Sequence, residues 1–309
     1  MSTYFVMQSS SVKSLPVPTA PSSASPALRP RILRARHLGM CFGVRDAIDL
    51  ALRQSGPVTI LGELVHNEAV LRQLNERGIE SVGQLAEIKT PAVMITAHGA
   101  SEQKLSALKG RGLEVIEATC PLVHFAHRSL RSLVEQGCHP VIIGKPGHVE
   151  VRGLTEDLID FDVVQSEEDI ARLAPRARFG VVSQTTQPID RVRHLVTKLR
   201  ERFSDSDVRF LDTVCRPTKE RQSAAIELAQ QCDVVVVVGG ANSNNTRELV
   251  ATCCRFCARV HQVQNAAGLD PEWFQNVDTI GITAGTSTPE NSIQDVESAI
   301  ETLCRPAAA

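Results

Sequence analysis

No stretch of this sequence stays apolar for the roughly 18 residues that suggest a membrane span. The longest unbroken run is Val234–Val238, which reads as a buried strand. Charge of one sign is missing too: 33 Lys and Arg stand against 35 Asp and Glu, a net charge of −2. That balance gives no general pull toward nucleic acid or a membrane surface, so neither partner is expected. No internal repeat is visible and no second CxxC exists. What remains is an ordinary globular composition, 42% hydrophobic and 22% charged, in 309 residues. That length can fill two or three packed units.

Cysteine is the exception, with nine. An odd number at irregular spacing, behind no leader with an apolar core, argues against a secreted disulfide framework and for reduced thiols in the cytoplasm. Such thiols pack, react or hold metal. Residues 1–30 are rich in Ser and Pro and lack Asp and Glu. They read as a disordered extension. A plastid-targeting peptide is the alternative, weakened because Arg29 and Arg31 come only at the end of the segment.

From Arg31 onward short β-branched runs alternate with amphipathic stretches, the pattern of an α/β fold with mainly parallel sheets. Strands are expected at Val58–Leu61, Ala92–Thr96, Leu113–Ile116, Pro140–Ile143, Phe179–Ser183, Asp233–Val238 and Thr279–Thr283. Helices are expected over Arg45–Arg53, Val123–Gln136, Ile189–Phe203 and Ala224–Gln231. Several strands run into polar or glycine-containing turns. The carboxyl ends of parallel strands are where α/β proteins bind ligands, so a shared pocket is expected.

Cys41, Cys120 and Cys215 have one setting in common: each follows a strand-like segment and precedes a helix. A helix start stabilises a thiolate and so favours metal binding. Their similar intervals suggest three similar α/β modules, each presenting one thiol, with domains placed at residues 31–120, 121–213 and 214–309. Iron–sulfur clusters usually take four thiolates, and three would leave one iron open to substrate. The other reading of each is a buried packing cysteine, the reading given to Cys138, Cys232 and Cys304. Cys253-Cys254-Arg255-Phe256-Cys257 contains a CxxC, but it lies within the helical pattern of residues 247–258 and reads as helix-face packing.

His66, His98 and His148 fall at expected strand ends and fit an anion pocket, although each alone reads equally as a structural histidine. The turn Asn242-Ser243-Asn244-Asn245 closes one strand and is expected to open a helix at Thr246–Glu248. Its backbone N–H groups and side chains suit a phosphate; otherwise it is a plain N-cap turn. Ser287, before Pro289, has the same two readings. Glu150, close to His148, is a candidate proton donor if its pocket excludes water, and a surface acid if not.

Seven segments then occur in a fixed order: Gly39-Met40-Cys41-Phe42-Gly43-Val44, Val65-His66-Asn67, Ala97-His98-Gly99, Ala118-Thr119-Cys120-Pro121-Leu122-Val123, Gly147-His148-Val149-Glu150-Val151, Gln184-Thr185-Thr186 and Thr283-Ala284-Gly285. Together they resemble the 4-hydroxy-3-methylbut-2-enyl diphosphate reductases, the IspH/LytB family of the non-mevalonate isoprenoid pathway, from about Arg31 to the end. The resemblance implies three α/β domains in a trefoil around a central [4Fe–4S] cluster held by Cys41, Cys120 and Cys215. It implies that His66, His98 and His148, with Thr185, Thr186, Ser243, Asn244, Asn245 and Ser287, hold the substrate diphosphate. Glu150, with Thr185, would relay the proton that lets the hydroxyl leave as water. Electrons would come from a ferredoxin- or flavodoxin-like donor, and the products would be isopentenyl and dimethylallyl diphosphates.

The chain departs from the family pattern at several positions. Arg216-Pro217-Thr218 stands where a Tyr-Ala-Thr-like run is usual, Asn244 and Gly240 where Ser is common, Phe42 where a small residue is usual, and Val149 where Pro is usual. None removes an implied ligand or the acid. They leave two alternatives: a related iron–sulfur reductase or dehydratase of another small diphosphate, and a non-catalytic iron–sulfur sensor. Retention of Glu150 and Thr185 argues against the sensor, which needs no proton relay.

Overall fold

A parallel sheet has both faces covered by helices, so its central strands must be apolar on both sides. Val234–Val238 meets that demand in full, with all five valines 0% exposed. The computed structural model describes residues 29–305; the extension expected over residues 1–30 lies outside them apart from its last two residues. The chain opens with β1 (Arg31–Arg34) and α1 (Phe42–Leu52). Next come β2 (Val58–Leu61), α2 (Glu68–Glu76), β3 (Glu80–Val82), β4 (Ala92–Ile95), α3 (Glu102–Gly110) and β5 (Glu114–Glu117). After α4 (Pro121–Glu135) follow β6 (His139–Ile143), α5 (Val149–Thr155), β7 (Asp162–Val164), α6 (Glu167–Arg172), β8 (Arg178–Ser183), α7 (Ile189–Arg202) and β9 (Asp207–Phe210). The last part is α8 (Arg216–Ala229), β10 (Val234–Val238), α9 (Asn244–Cys253), β11 (Val260–Val263), β12 (Thr279–Ala284) and α10 (Glu290–Leu303).

The strands form three four-stranded sheets, ordered β3-β2-β4-β5, β7-β6-β8-β9 and β11-β10-β12-β1, and every pairing is parallel. The expected three parallel α/β units are therefore present, and all share one strand order. The fourth place in the third sheet is taken by β1, from the other end of the described chain. Arg31–Arg34 lies in register with Thr279–Ile282 of β12. The grouping of β1 with residues 31–120 is thus corrected: β5 already fills the fourth place of the first sheet, and β12 offers the open edge.

This closure makes the three cysteines equivalent. Each follows the fourth strand of a sheet, and the helix it starts crosses to the next unit. Ala47, Ile48 and Ala51 of α1 pack on Ile60 and Met94 of the first sheet. In the same way, Ala126 and Leu130 of α4 meet Ile142 and Val182 of the second. Ala225 and Leu228 of α8 complete the pattern against Val235 and Val237 of the third. The strands that periodicity missed are β3, β7 and β11. All three are edge strands of three or four residues carrying polar side chains, which blunts an edge against pairing with another chain. Among the described residues, no helix is long and apolar enough to cross a membrane.

Candidate active site

Cys41, Cys120 and Cys215 are the N-cap residues of α1, α4 and α8, and none uses its side chain to cap the helix. Their backbone N–H groups are tied to the surrounding turns instead. Cys41 N donates to Thr286 O (3.0 Å), Cys120 N to Ala97 O (3.1 Å) and Cys215 N to Thr185 O (2.9 Å). Gly43, in the first turn of α1, admits Cys120 to the Cys41 end of that helix: a Cβ on Gly43 would lie 2.4 Å from Cys120 Sγ. Burial pushes the Cys215 thiol up to about 11, and it also raises that of Cys120. Arg221, itself buried, donates through Nε to Gly39 O (2.8 Å) and through a terminal nitrogen to Pro217 O (3.0 Å). Burial lowers its pKa, while Cys41 and Cys215 act in the opposite direction. A buried cation bonded to carbonyls beside thiols suits a site that takes negative charge.

The turns after the two central strands of each sheet (β2 and β4, β6 and β8, β10 and β12) meet at the centre. They enclose a cavity of about 40 Å³ lined by His66, His98, His148 and Glu150, and by Ser243, Asn244 and Asn245 of the third unit, with Thr186 and Ser287 completing the wall. The histidine ring centroids lie 4.5 Å (His66–His98), 5.6 Å (His66–His148) and 5.8 Å (His98–His148) apart. His148 caps α5: its Nδ1 accepts from Glu150 N at 3.2 Å, which puts the proton of the neutral ring on Nε2. His66 Nδ1 lies 2.9 Å from Glu63 Oε2. Because an ionised carboxylate only accepts, His66 donates there. Gly240 lets the third unit close on the first, since a Cβ at that position would meet His66 O at 2.8 Å.

Three residues of the cavity wall hold buried side-chain nitrogens without a partner: His98 Nδ1, Asn244 Nδ2 and Asn245 Nδ2. An unmet buried polar group costs about 1–3 kcal/mol, so a cluster of them marks a place built for a polar guest. Burial, then the neighbouring His66 and His148, holds His98 well below its ordinary value. Burial, then His66, Lys145 and Arg247, brings His148 down to about 4. An anion in the cavity would favour the charged forms instead.

Glu150 lies at the edge of the cavity and is 1% exposed. Its Oε1 accepts from Thr185 N at 2.6 Å and its Oε2 from Thr185 Oγ1 at 3.0 Å. Burial outweighs those two bonds and raises the carboxyl from 4.5 to about 7. At neutral pH it therefore exists partly as the acid, with a proton to give.

A family model described as LytB protein matches residues 32–301. The chain belongs to the LytB family. It is 36% identical over 270 residues to the 4-hydroxy-3-methylbut-2-enyl diphosphate reductase of Pelobacter propionicus, an alignment covering 86% of this chain and 96% of that one. To the enzyme of the same name from Geobacter metallireducens it is 35% identical over 269 residues, with 86% and 95% covered. The solved structure of the E-1-hydroxy-2-methyl-but-2-enyl-4-diphosphate reductase from Plasmodium falciparum superposes with a TM-score of 0.82 at 26% identity over 88% of each chain. A structure described as (E)-4-hydroxy-3-methyl-but-2-enyl diphosphate reductase, the terminal enzyme of the non-mevalonate pathway, gives 0.64 at 35% identity, covering 88% of this chain and 99% of that one.

As a LytB-family chain it brings together His66, His98, His148, Glu150, Thr186, Ser243, Asn244, Asn245 and Ser287 around one cavity, with Thr185 behind it holding Glu150. Three details differ from the sequence reading. Helix α9 begins at Asn244 with Ser243 as its N-cap, so the anion turn is shorter and more deeply helical than expected. The same helix stops at Cys253; Cys254 is its exposed C-cap and Cys257 lies beyond it, buried. The CxxC run is therefore not one helical packing face, because α9 ends before Arg255. Cys138 is buried as expected, whereas Cys232 and Cys304 are only partly buried. Sequence reasoning gave no role to Arg221, Thr246 or Thr283, whose burial only the tertiary structure reveals.

Proposed function

We propose that this chain reduces 4-hydroxy-3-methylbut-2-enyl diphosphate, releasing the hydroxyl as water and forming isopentenyl and dimethylallyl diphosphates. The observation that carries this reading is Glu150: an acid held near neutrality, on the rim of a cavity whose other polar groups are imidazoles, amides and hydroxyls, with Val44 and Val65 beside them and no second carboxylate. Removal of a hydroxyl needs a proton, and a general acid with a pKa near the working pH gives it best. The two Thr185 bonds keep the carboxyl oriented and accept its charge once the proton has left.

The diphosphate is anchored by His66, His98 and His148 on one side and by Ser243, Asn244, Asn245 and Ser287 on the other, with Thr186 between. Asn244 and Asn245 form the first turn of α9, and a helix N-terminus favours an anion. Binding satisfies His98 Nδ1 and the two asparagine amides and draws protons onto the histidines.

Cys41, Cys120 and Cys215 are assigned as ligands of a [4Fe–4S] cluster. Three buried or half-buried thiols at helix starts, with Arg221 alongside, suit an anionic group. When bound, the cluster supplies the electrons of the reduction. A small ferredoxin- or flavodoxin-like protein is the proposed donor.

A changed substrate was suggested by Phe42, Arg216 and Asn244. Phe42 is 42% exposed, and the Arg216 side chain is 86% exposed and paired with Glu220, so neither lines the cavity. Only Asn244 does, and its amide donates as a serine hydroxyl would. Anaerobic turnover of the hydroxylated C5 diphosphate with a reduced one-electron donor tests the proposal. Formation of the two C5 alkenyl diphosphates is expected; cluster-loaded protein that leaves this substrate intact would refute it.

A further inference from the structure

The central cavity has no lysine or arginine in its wall, although the proposed substrate carries all its charge on a diphosphate. Cations line a separate, open groove of about 480 Å³ between the second and third units, whose walls include Lys145, Gln165, Arg191, Asn244, Arg247 and Glu248. Arg191 is paired with Glu248 at 2.8 Å and contributes little net charge. Lys145 and Arg247 form no ion pair among the described residues. The Arg247 guanidinium reaches only Ala241 O at 3.4 Å, and Lys145 is tied down through its backbone N–H to Gln184. Two cations without an ion-pair partner among the described residues therefore line the groove.

Two observations connect this groove to the cavity. Asn244 lines both; it is 4% exposed and its Nδ2 has no partner, so a donor waits unused at the junction. The charges of Lys145 and Arg247 also reach inward, where after burial and His66 they help to hold His148 low. The connection is therefore electrostatic as well as geometric.

We propose that this groove is the route by which the diphosphate reaches the histidine pocket, with Lys145 and Arg247 forming an outer anion site that captures it first. The inference rests on the diphosphate reading above. A groove of one charge sign with low-dielectric walls concentrates counter-ions and can raise association rates by about 10- to 1000-fold. The side chains are at the surface and act within a Debye length, so salt should abolish the effect. From the outer site the diphosphate passes Asn244, whose free amide accompanies it inward, and settles among the three histidines.

The test is the double variant Lys145→Ala/Arg247→Ala, in cluster-loaded protein, with the stopped-flow association rate of inorganic pyrophosphate as the first readout. That rate should fall about ten-fold at low ionic strength and match wild type near 0.5 M salt, within the range where screening is nearly complete (Debye length ~3–10 Å). In turnover, kcat/KM should fall with it while kcat changes by less than about two-fold, because neither residue touches the reacting atoms. Arg72→Gln is the control. It removes a cation from the groove between the first and third units, also of about 480 Å³, and should change nothing. A wild-type pyrophosphate association rate and salt dependence in the double variant would overturn the route, as would an Arg72→Gln variant that reproduces the loss. Pyrophosphate binding needs no turnover. If the predicted charge dependence appears in protein that leaves the C5 substrate intact, the route stands and the substrate assignment falls.

Discussion

Replacing Glu150 by Gln should make the protein slower and more stable at once. The carboxyl ionises near 4.5 in the unfolded chain and near 7 in the fold, because burial penalises the charge more than Thr185 relieves it. Between those values folding takes up a proton. Stability contributed by this group is therefore fully present below pH 4.5 and is lost as pH rises through 7. The gap corresponds to about 3 kcal/mol above neutrality, at about 1.4 kcal/mol for each tenfold change in proton affinity. Gln has no charge to bury, its oxygen still accepts from Thr185 N, and its amide donates to Thr185 Oγ1. Denaturant unfolding at pH 5 and pH 8 should show a Gln advantage that grows toward about 3 kcal/mol at the higher pH. Turnover should drop by about 100-fold or more, the usual loss for a general acid, with substrate affinity little changed. Wild-type turnover should itself decline as pH rises through about 7. Near wild-type turnover in the variant, or a stability difference equal at both pH values, would show that Glu150 is neither the acid nor a buried charge.

Other outcomes follow from the same geometry. Cys41→Ser, Cys120→Ser and Cys215→Ser should each remove the brown colour and iron of anaerobically prepared protein, whereas Cys254→Ser and Cys257→Ser should retain them; iron analysis distinguishes the sets. Gly43→Ala should also lose iron, because its Cβ would sit 2.4 Å from Cys120 Sγ; full iron content would mean that α1 shifts freely. His66→Ala, His98→Ala and Asn245→Ala should weaken pyrophosphate binding by about 1–3 kcal/mol each, and unchanged calorimetric affinity in all three would place the anion elsewhere. Wild-type binding should take up protons between pH 5 and 6.5, since an anion raises the low His98 and His148. Titrations in two buffers of different ionisation enthalpy measure that uptake.

Much of this protein is determined within short stretches of sequence. The α/β class follows from alternating β-branched and amphipathic runs, because a strand such as β10 must be apolar on both faces wherever it is buried. The helix starts at Cys41, Cys120 and Cys215 follow from local turn and proline signals, and the seven ordered motifs contain Cys41, His66, His98, Cys120, His148, Glu150, Thr185 and Thr186. Tertiary structure alone decides the rest. The pairing of β1 with β12 joins segments from the two ends of the described chain, and no local pattern records which open sheet edge a four-residue strand will find. The edge strands β3, β7 and β11 are too short and polar to carry a period, and pairing creates them. Glu150 and an exposed glutamate look alike in sequence; its acidity near neutrality arises from burial against Thr185, which lies on a separate turn after β8. Arg221 is likewise an ordinary helical arginine until the fold buries it beside two thiols. Charge, pKa and the meeting of three units at one cavity are properties of distance, and distance between remote residues is set by packing.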